Sequence, residues 1–332
     1  MKSEDVLTHH RGSDIVIVGA GPAGLFAAYY AGFRGLSVTV VDANREPGGQ
    51  VSALYPAKII HDVAGYVGVS GADLVTGLVE QAAAYSPTFI QDASVVDLTR
   101  DERTGILSVS LADGRTLDAR AVVLATGAGS VRPRALPAGH GWAGRGVTYV
   151  VTDPQAHADE DVVIVGGGDT ALDWAIQLSP IARSVTVVHR RRQFRAHGSQ
   201  IARAESLGVA LLTESEVQAI NGDDVVRSVL VRDGEGAERV LPADTVIGAL
   251  GLVTGPSPFA SWGIDLEERK ILVDAGMQTN LPGVYAAGDC TTFRGKVTLM
   301  VTGFGEAATA INNAAVYVDP DLSLIPGHST DE

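Results

Sequence analysis

The chain has 332 residues, 45% hydrophobic and 19% charged, with a formal net charge of −14 and a single cysteine, Cys290. That length suits about two domains and that composition a globular protein, while the acidic balance argues against a nucleic-acid footprint. One cysteine excludes an intrachain disulfide, no apolar run is long enough to cross a bilayer, and Met1–Ser13 carries no leader-like pattern. A cytoplasmic protein with no membrane partner is expected.

Taken in chain order, the apolar run Asp14–Val18 predicts a strand. It is followed by the glycine turn Gly19-Ala20-Gly21-Pro22-Ala23-Gly24 and a helix through about Phe33. A second strand, Ser37–Val41, ends at Asp42. Leu107–Leu111 and Thr116–Leu117 flank Asp113-Gly114 and read as a hairpin, and Ala121–Leu124 predicts a further strand before Ala125-Thr126-Gly127.

The same order then repeats. Asp161–Val165 leads into Gly166-Gly167-Gly168-Asp169-Thr170-Ala171 and a helix through about Leu178. The strand Ser184–Val188 ends at His189-Arg190-Arg191-Arg192, a hairpin turns at Asp233-Gly234, and Thr245–Ile247 closes the copy. From about Gly255 the chain is too short for a third such unit and is expected to fold back on the first. That stretch holds an apolar run, Gly283–Ala287, then Gly288-Asp289 and a predicted helix Gly303–Val318.

Strand–turn–helix–strand alternation implies an α/β fold with two Rossmann-like dinucleotide-binding domains. The expected boundaries are 1–127 with 255–332 for one domain and 128–254 for the other. The Gly- and Pro-rich stretches Gly129–Arg134 and Gly251–Gly255 read as a hinge pair.

In Gly19-x-Gly21-x-x-Gly24 the first glycine permits the turn, the second admits a pyrophosphate, and the third lets helix and strand pack closely. Asp42, at the next strand end, suits ribose hydroxyls. Gly166-x-Gly168-x-x-Ala171 is the accepted variant of that fingerprint, but arginines stand where the first copy has Asp42. A carboxylate there would repel a 2′-phosphate, whereas Arg190, Arg191 and Arg195 would bind one, so NADPH is expected over NADH. Two sites in one chain suggest one held and one exchanging cofactor, FAD in the first copy and NADPH in the second. Asp289 is placed to accept from ribityl hydroxyls, and the helix after it to stabilise charge at the flavin edge. No His or Cys cluster has metal-ligand spacing.

The double fingerprint, Ala125-Thr126-Gly127 and Gly288-Asp289 resemble the thioredoxin-reductase-like flavoproteins of three-layer ββα type. Where dithiol reductases of that family carry Cys-x-x-Cys, this chain has Tyr149-Val150-Val151-Thr152, so a thiol–disulfide relay lacks its sulfurs. Gly48-Gly49-Gln50 with Tyr55-Pro56-Ala57-Lys58, His189 through His197, Gly295-Lys296-Val297, Gly303-Phe304-Gly305-Glu306-Ala307 and His328-Ser329-Thr330 are more similar to ferredoxin–NADP reductases of the thioredoxin-reductase-like type.

That resemblance implies FAD contacts at Gly19, Gly21, Pro22, Ala23, Gly24, Asp42, Gly49, Gln50, Tyr55, Val95, Val131, Asp289 and Thr330. It implies Tyr55 against one flavin face and His328, from a partner copy in a homodimer, against the other. NADPH falls to Gly166, Gly168, Asp169, Thr170, Ala171, His189, Arg190, Arg191 and Arg195. No side-chain acid or base is needed, since the flavin carries the chemistry. Ferredoxin is the implied acceptor, with flavodoxin, quinones or ferric chelates as alternatives. The −14 charge keeps those alternatives open, because ferredoxins are typically acidic, unless Arg132, Arg134, Arg191 and Arg192 form a basic patch.

Overall fold

The computed structural model describes residues 10–129, 131–255 and 257–326. The chain forms two compact units. One holds residues up to Ala53, Ile59–Ser130 and the chain from Gly255; the other holds Leu54–Lys58 and Val131–Thr254.

The first unit is built on a seven-stranded sheet. The strand His10–Val18 lies between two parallel partners, Val38–Val41 and Thr116–Leu124. Ile15, Val16, Ile17, Val40, Val41 and Val122–Leu124 are almost wholly buried, as expected for central parallel strands covered on both faces. Thr88–Ile90 extends one side and Val284–Ala286 pairs with Thr116–Leu124. Val284–Ala286 thus brings part of the C-terminal stretch into the same sheet.

Thr116–Leu124 is one strand where the sequence suggested two. Asp118 and Arg120 break the apolar pattern but not the backbone ladder, and the Ser108 hydroxyl donates to Asp118 across the hairpin at 2.7 Å. A further strand, Val95–Arg100, adds to the hairpin and was not expected. It is an edge strand with only Leu98 buried, so its apolar alternation is weak.

The helix Pro22–Phe33 buries Leu25, Ala27, Ala28 and Ala31, and packs on the helix Met300–Val318, with Phe26 against Phe304 at 5.4 Å between ring centroids and Asn312 donating to the Tyr30 hydroxyl at 3.3 Å. Ala307, Ala310, Ile311 and Ala314 of the second helix recur at i, i+3, i+4 spacing and are buried on one face. The second helix starts at Met300, three residues earlier than expected, and its N-cap, Leu299, offers no side-chain bond.

The second unit repeats the plan with five parallel strands, ordered Val147–Thr148, Thr245–Ala249, Asp161–Gly166, Ser184–Val188, Ala210–Leu212. A separate three-stranded antiparallel sheet joins Ser215–Gly222, Val226–Asp233 and Glu238–Pro242. Again its first strand, at the edge and interrupted by bulges, escaped the sequence pattern. The helix Asp169–Leu178 buries Leu172, Trp174, Ala175 and Leu178 over the parallel sheet.

Two features differ from the expected organisation. The stretches read as hinge loops contain strands: Val131–Pro133 pairs antiparallel with Leu252–Thr254. Leu54–Lys58 groups with the second unit instead of the first. Three contacts hold it there: Ala57 packs on the core around Trp174, its carbonyl accepts from Gln177 at 2.9 Å, and Lys58 pairs with Asp173 at 2.5 Å.

Trp174 heads the fully buried side chains by volume. Trp174→Ala is expected to cost about 3–5 kcal/mol, through lost contacts and the cavity left behind. Urea unfolding should show an earlier transition for the second unit; an unchanged midpoint would contradict this packing.

Candidate functional site

Each unit places its glycine turn at the carboxyl end of its central parallel strand. In the first unit the turn is set by close backbone approach. A Cβ on Gly24 would stand 1.8 Å from the Gly19 carbonyl, and one on Gly19 would stand 2.4 Å from that of Ala125. Gly48 donates to the Ala20 carbonyl at 2.7 Å, which lays Gly48-Gly49 against the turn. A Cβ on Gly49 would meet the Gly21 Cα at 3.0 Å, so these two glycines form a surface without side chains.

Asp42 is buried, and both its oxygens are engaged by the chain: one accepts from Ala20 N at 2.5 Å and the other from Asn44 N at 2.7 Å. It therefore fixes the glycine turn. Asp289 differs. It is half-buried and its carboxylate makes no hydrogen bond among the described residues. Gly288, beside it, comes within 3.2 Å of Ala23 Cβ for an added methyl, and Gly303 comes within 3.4 Å of Gly288 Cα. The starts of the two packed helices and the Gly288 turn thus converge around small residues.

In the second unit a Cβ on Gly166 would lie 2.3 Å from the Ala249 carbonyl, whereas one on Gly168 would touch nothing within 4 Å. The first position is closed by the sheet and the second is open to a ligand. The unforeseen constraint is Gly167, where a Cβ would strike the His189 ring at 2.2 Å. The imidazole lies under the turn, stacked on Phe194 with centroids 5.0 Å apart, and its Nε2 is 3.1 Å from the Gln193 carbonyl. Arg195 N donates to the Gly167 carbonyl at 2.7 Å. The arginine loop and the glycine turn are therefore one assembly. His189 is one of its supports, not an exposed ligand.

Arg190, Arg191, Arg192 and Arg195 are exposed, and none forms an ion pair among the described residues. Arg191 through Arg195 line a shallow concavity. Asp169 accepts from His197 N at 3.3 Å, which ties the helix start to the far end of the same loop.

Helix capping marks the glycine turns. Pro22–Phe33 and Asp169–Leu178 begin at glycine N-caps, and Met300–Val318 at Leu299, all without a side-chain cap. Gly71–Ala83 and Gly198–Ser206 are capped by Ser70 and His197. The uncapped ends keep free N–H donors and a positive dipole end, which suits an anionic ligand. The Thr126 hydroxyl, just beyond the Ala125 carbonyl that meets the first turn, is buried with no hydrogen-bond partner among the described residues. An unpaired buried hydroxyl beside a side-chain-free surface fits a polar cofactor there.

The remaining expected residues divide. Gln50 begins a short helix beside Gly127, and Val95 opens its edge strand, both in the first unit. Tyr55 and Val131 group with the second unit; Lys58 Nζ lies 5.5 Å from the Tyr55 ring centroid. His328 and Thr330 lie outside the described residues. Cys290 is buried, with its thiol pushed up to about 11 by burial, so it is no thiolate nucleophile at neutral pH.

Burial, followed by the nearby arginines, holds the His189 pKa below its ordinary 6.5, against the opposing Gln193 carbonyl bond. The fold therefore favours neutral imidazole, and the unfolded chain takes up more protons. Stability is full above the unfolded value and is lost as pH falls from about 6.5 through the lowered one. His189→Gln should remove this component; unfolding midpoints of both forms from pH 8 to 5 check it, and parallel curves would contradict it.

Residues 13–314 match the pyridine nucleotide-disulphide oxidoreductase family. The chain is 51% identical to a ferredoxin–NADP reductase of Salinispora tropica, covering 96% of this chain and 98% of that protein. It is 50% identical to one of Nocardioides sp., over 96% and 97%, and 44% identical to one of Thermus thermophilus, over 96% and 97%. Among solved structures, a thioredoxin reductase of T. acidophilum superposes with a TM-score of 0.78 at 27% identity, covering 94% of this chain and 99% of that one. A Lactococcus lactis thioredoxin reductase gives 0.75 at 26%, over 92% and 99%. The chain belongs to the pyridine nucleotide-disulphide oxidoreductases and, within them, to the ferredoxin–NADP reductases of the thioredoxin-reductase-like type.

Proposed function

We propose that the protein moves electrons between NADPH and ferredoxin through FAD, as a ferredoxin–NADP reductase. The observation that carries this is the pairing of two uncapped glycine turns with opposite charge at the following strand ends, Asp42 in one unit and the Arg190–Arg195 loop in the other. The relatives' names support the same reading.

When bound, FAD supplies hydride acceptance from NADPH and the release of electrons one at a time. The chain binds and orients. Gly19, Gly21, Pro22, Ala23 and Gly24 receive the FAD pyrophosphate at the helix start, with Gly49 and Gln50 beside them. Asp42 orders that turn and meets the ribose, while the uncommitted carboxylate of Asp289 accepts from ribityl hydroxyls. Tyr55, Val95, Val131 and, from the tail, His328 and Thr330 are assigned to FAD on resemblance.

In the second unit Gly166, Gly168, Asp169, Thr170 and Ala171 take the NADPH pyrophosphate. Arg190, Arg191 and Arg195 take its 2′-phosphate, with His189 holding the loop. The first unit is the FAD-binding domain and the second the NADPH-binding domain. The resemblance supports a homodimer. The lone, buried cysteine is compatible with a cytoplasmic setting, and no helix among the described residues is long and apolar enough to cross a membrane.

Flavin reduced anaerobically by NADPH should be reoxidised by ferredoxin faster than by flavodoxin or a quinone, at a rate that falls as salt rises. Faster, salt-independent reoxidation by quinone or ferric chelate would favour a general diaphorase. Replacing Arg190, Arg191 and Arg195 together by Ala should raise KM for NADPH roughly tenfold or more, since charge-assisted bonds are lost, and leave NADH unaffected. An equal loss with both nucleotides would move the 2′-phosphate elsewhere.

A further inference from the structure

The first unit contains a buried ion pair that the cofactor contacts do not use. Lys296 and Glu306 pair directly, with side chains only 6% and 5% exposed. Both also hold the same residue. Glu306 Oε2 accepts from Gly288 N at 2.8 Å, and Lys296 Nζ donates to the Gly288 carbonyl at 3.1 Å. The Thr291 hydroxyl closes the network, donating to the Gly288 carbonyl at 2.8 Å and lying 3.3 Å from Glu306 Oε2.

The gripped residue has φ +83, and the next one is Asp289. The two charged side chains come from different segments. Lys296 lies on the connection from Thr291–Thr292 to the last helix, and Glu306 lies in that helix's second turn. One pair therefore ties together the Gly288 turn, the connecting loop and the uncapped start of Met300–Val318. Burying two opposite charges is seldom the most stabilising choice for a core, but it fixes geometry wherever every lone pair and proton is used.

We propose that Lys296 and Glu306 are a positioning pair that holds Asp289 and the N-terminal end of the last helix against the flavin and keeps the local charge there balanced. The inference rests on the reading that this unit binds FAD. It adds an electrostatic role: each charge, left alone, would bias the flavin's reduction in its own direction. An unbalanced Lys296 favours the anionic reduced flavin; an unbalanced Glu306 disfavours it.

The test uses the purified holoprotein and the variants Glu306→Gln, Lys296→Met, Lys296→Arg and the double Lys296→Met/Glu306→Gln. Flavin midpoint potentials are measured by spectroelectrochemistry, and hydrogen exchange of the Gly288 amide by mass spectrometry. Glu306→Gln should raise the potential, Lys296→Met should lower it, and the double variant should lie near the parent. FAD release should accelerate roughly tenfold or more in Lys296→Met, as a buried charge loses its partner, and recover largely in Lys296→Arg.

Unchanged potentials, or shifts of one sign in both single variants, would overturn the electrostatic role. Gly288 exchange as slow in the variants as in the parent would overturn the clamp. If the single variants do not fold, the double variant decides: a potential far from the parent's contradicts the balance. A parent protein that binds no flavin would instead refute the FAD reading, while Gly288 exchange would still test the clamp separately.

Discussion

The fold of each candidate site depends on one constraint: a helix must start where a central strand ends, with backbone touching backbone. At Gly24, in the helix, an added methyl would stand 1.8 Å from the Gly19 carbonyl; in the second unit the close approach is between paired strand ends just before the turn, where a methyl on Gly166 would stand 2.3 Å from the Ala249 carbonyl. No side chain fits either place. This contact directs the helix N–H groups outward at the strand end, in the crevice where open parallel sheets receive ligands. The sheet core behind supplies rigidity, with Ile15, Ile17, Leu124, Ile164 and Ile247 almost wholly excluded from water.

What distinguishes the two sites is the way charge is used around an equivalent turn. Asp42 gives both oxygens to backbone N–H groups, so its negative charge is fixed next to the first turn. In the second unit a neutral, buried imidazole replaces that carboxylate beneath the turn, and the charged groups stand outside it as exposed arginines. On the proposed assignment, a 2′-phosphate would be repelled in the first place and attracted in the second.

Much of this was legible in the sequence, because the signals were local and strong. Runs such as Ile15-Val16-Ile17-Val18 could only be two-sided buried strands, and the glycine spacing marked both turns. The edge strands Val95–Arg100 and Ser215–Gly222 escaped, since one or two buried residues each leave no period to read. The role of Gly167 was also hidden: its constraint comes from His189, a residue whose position under the turn depends on the tertiary path of the loop. The Lys296–Glu306 pair illustrates the same limit, because two ordinary surface-type residues ten positions apart meet only through the Gly288 turn. Likewise Tyr55-Pro56-Ala57-Lys58 sits in sequence within the first copy, yet joins the second unit through Asp173 and Gln177.

Whether the two turns hold different nucleotides is tested most directly by hydrogen exchange on the FAD-loaded protein. Adding NADP+ should slow amide exchange in peptides covering 166–197 and leave those covering 19–50 unchanged. Protection of 19–50 with none at 166–197 would contradict the assignment.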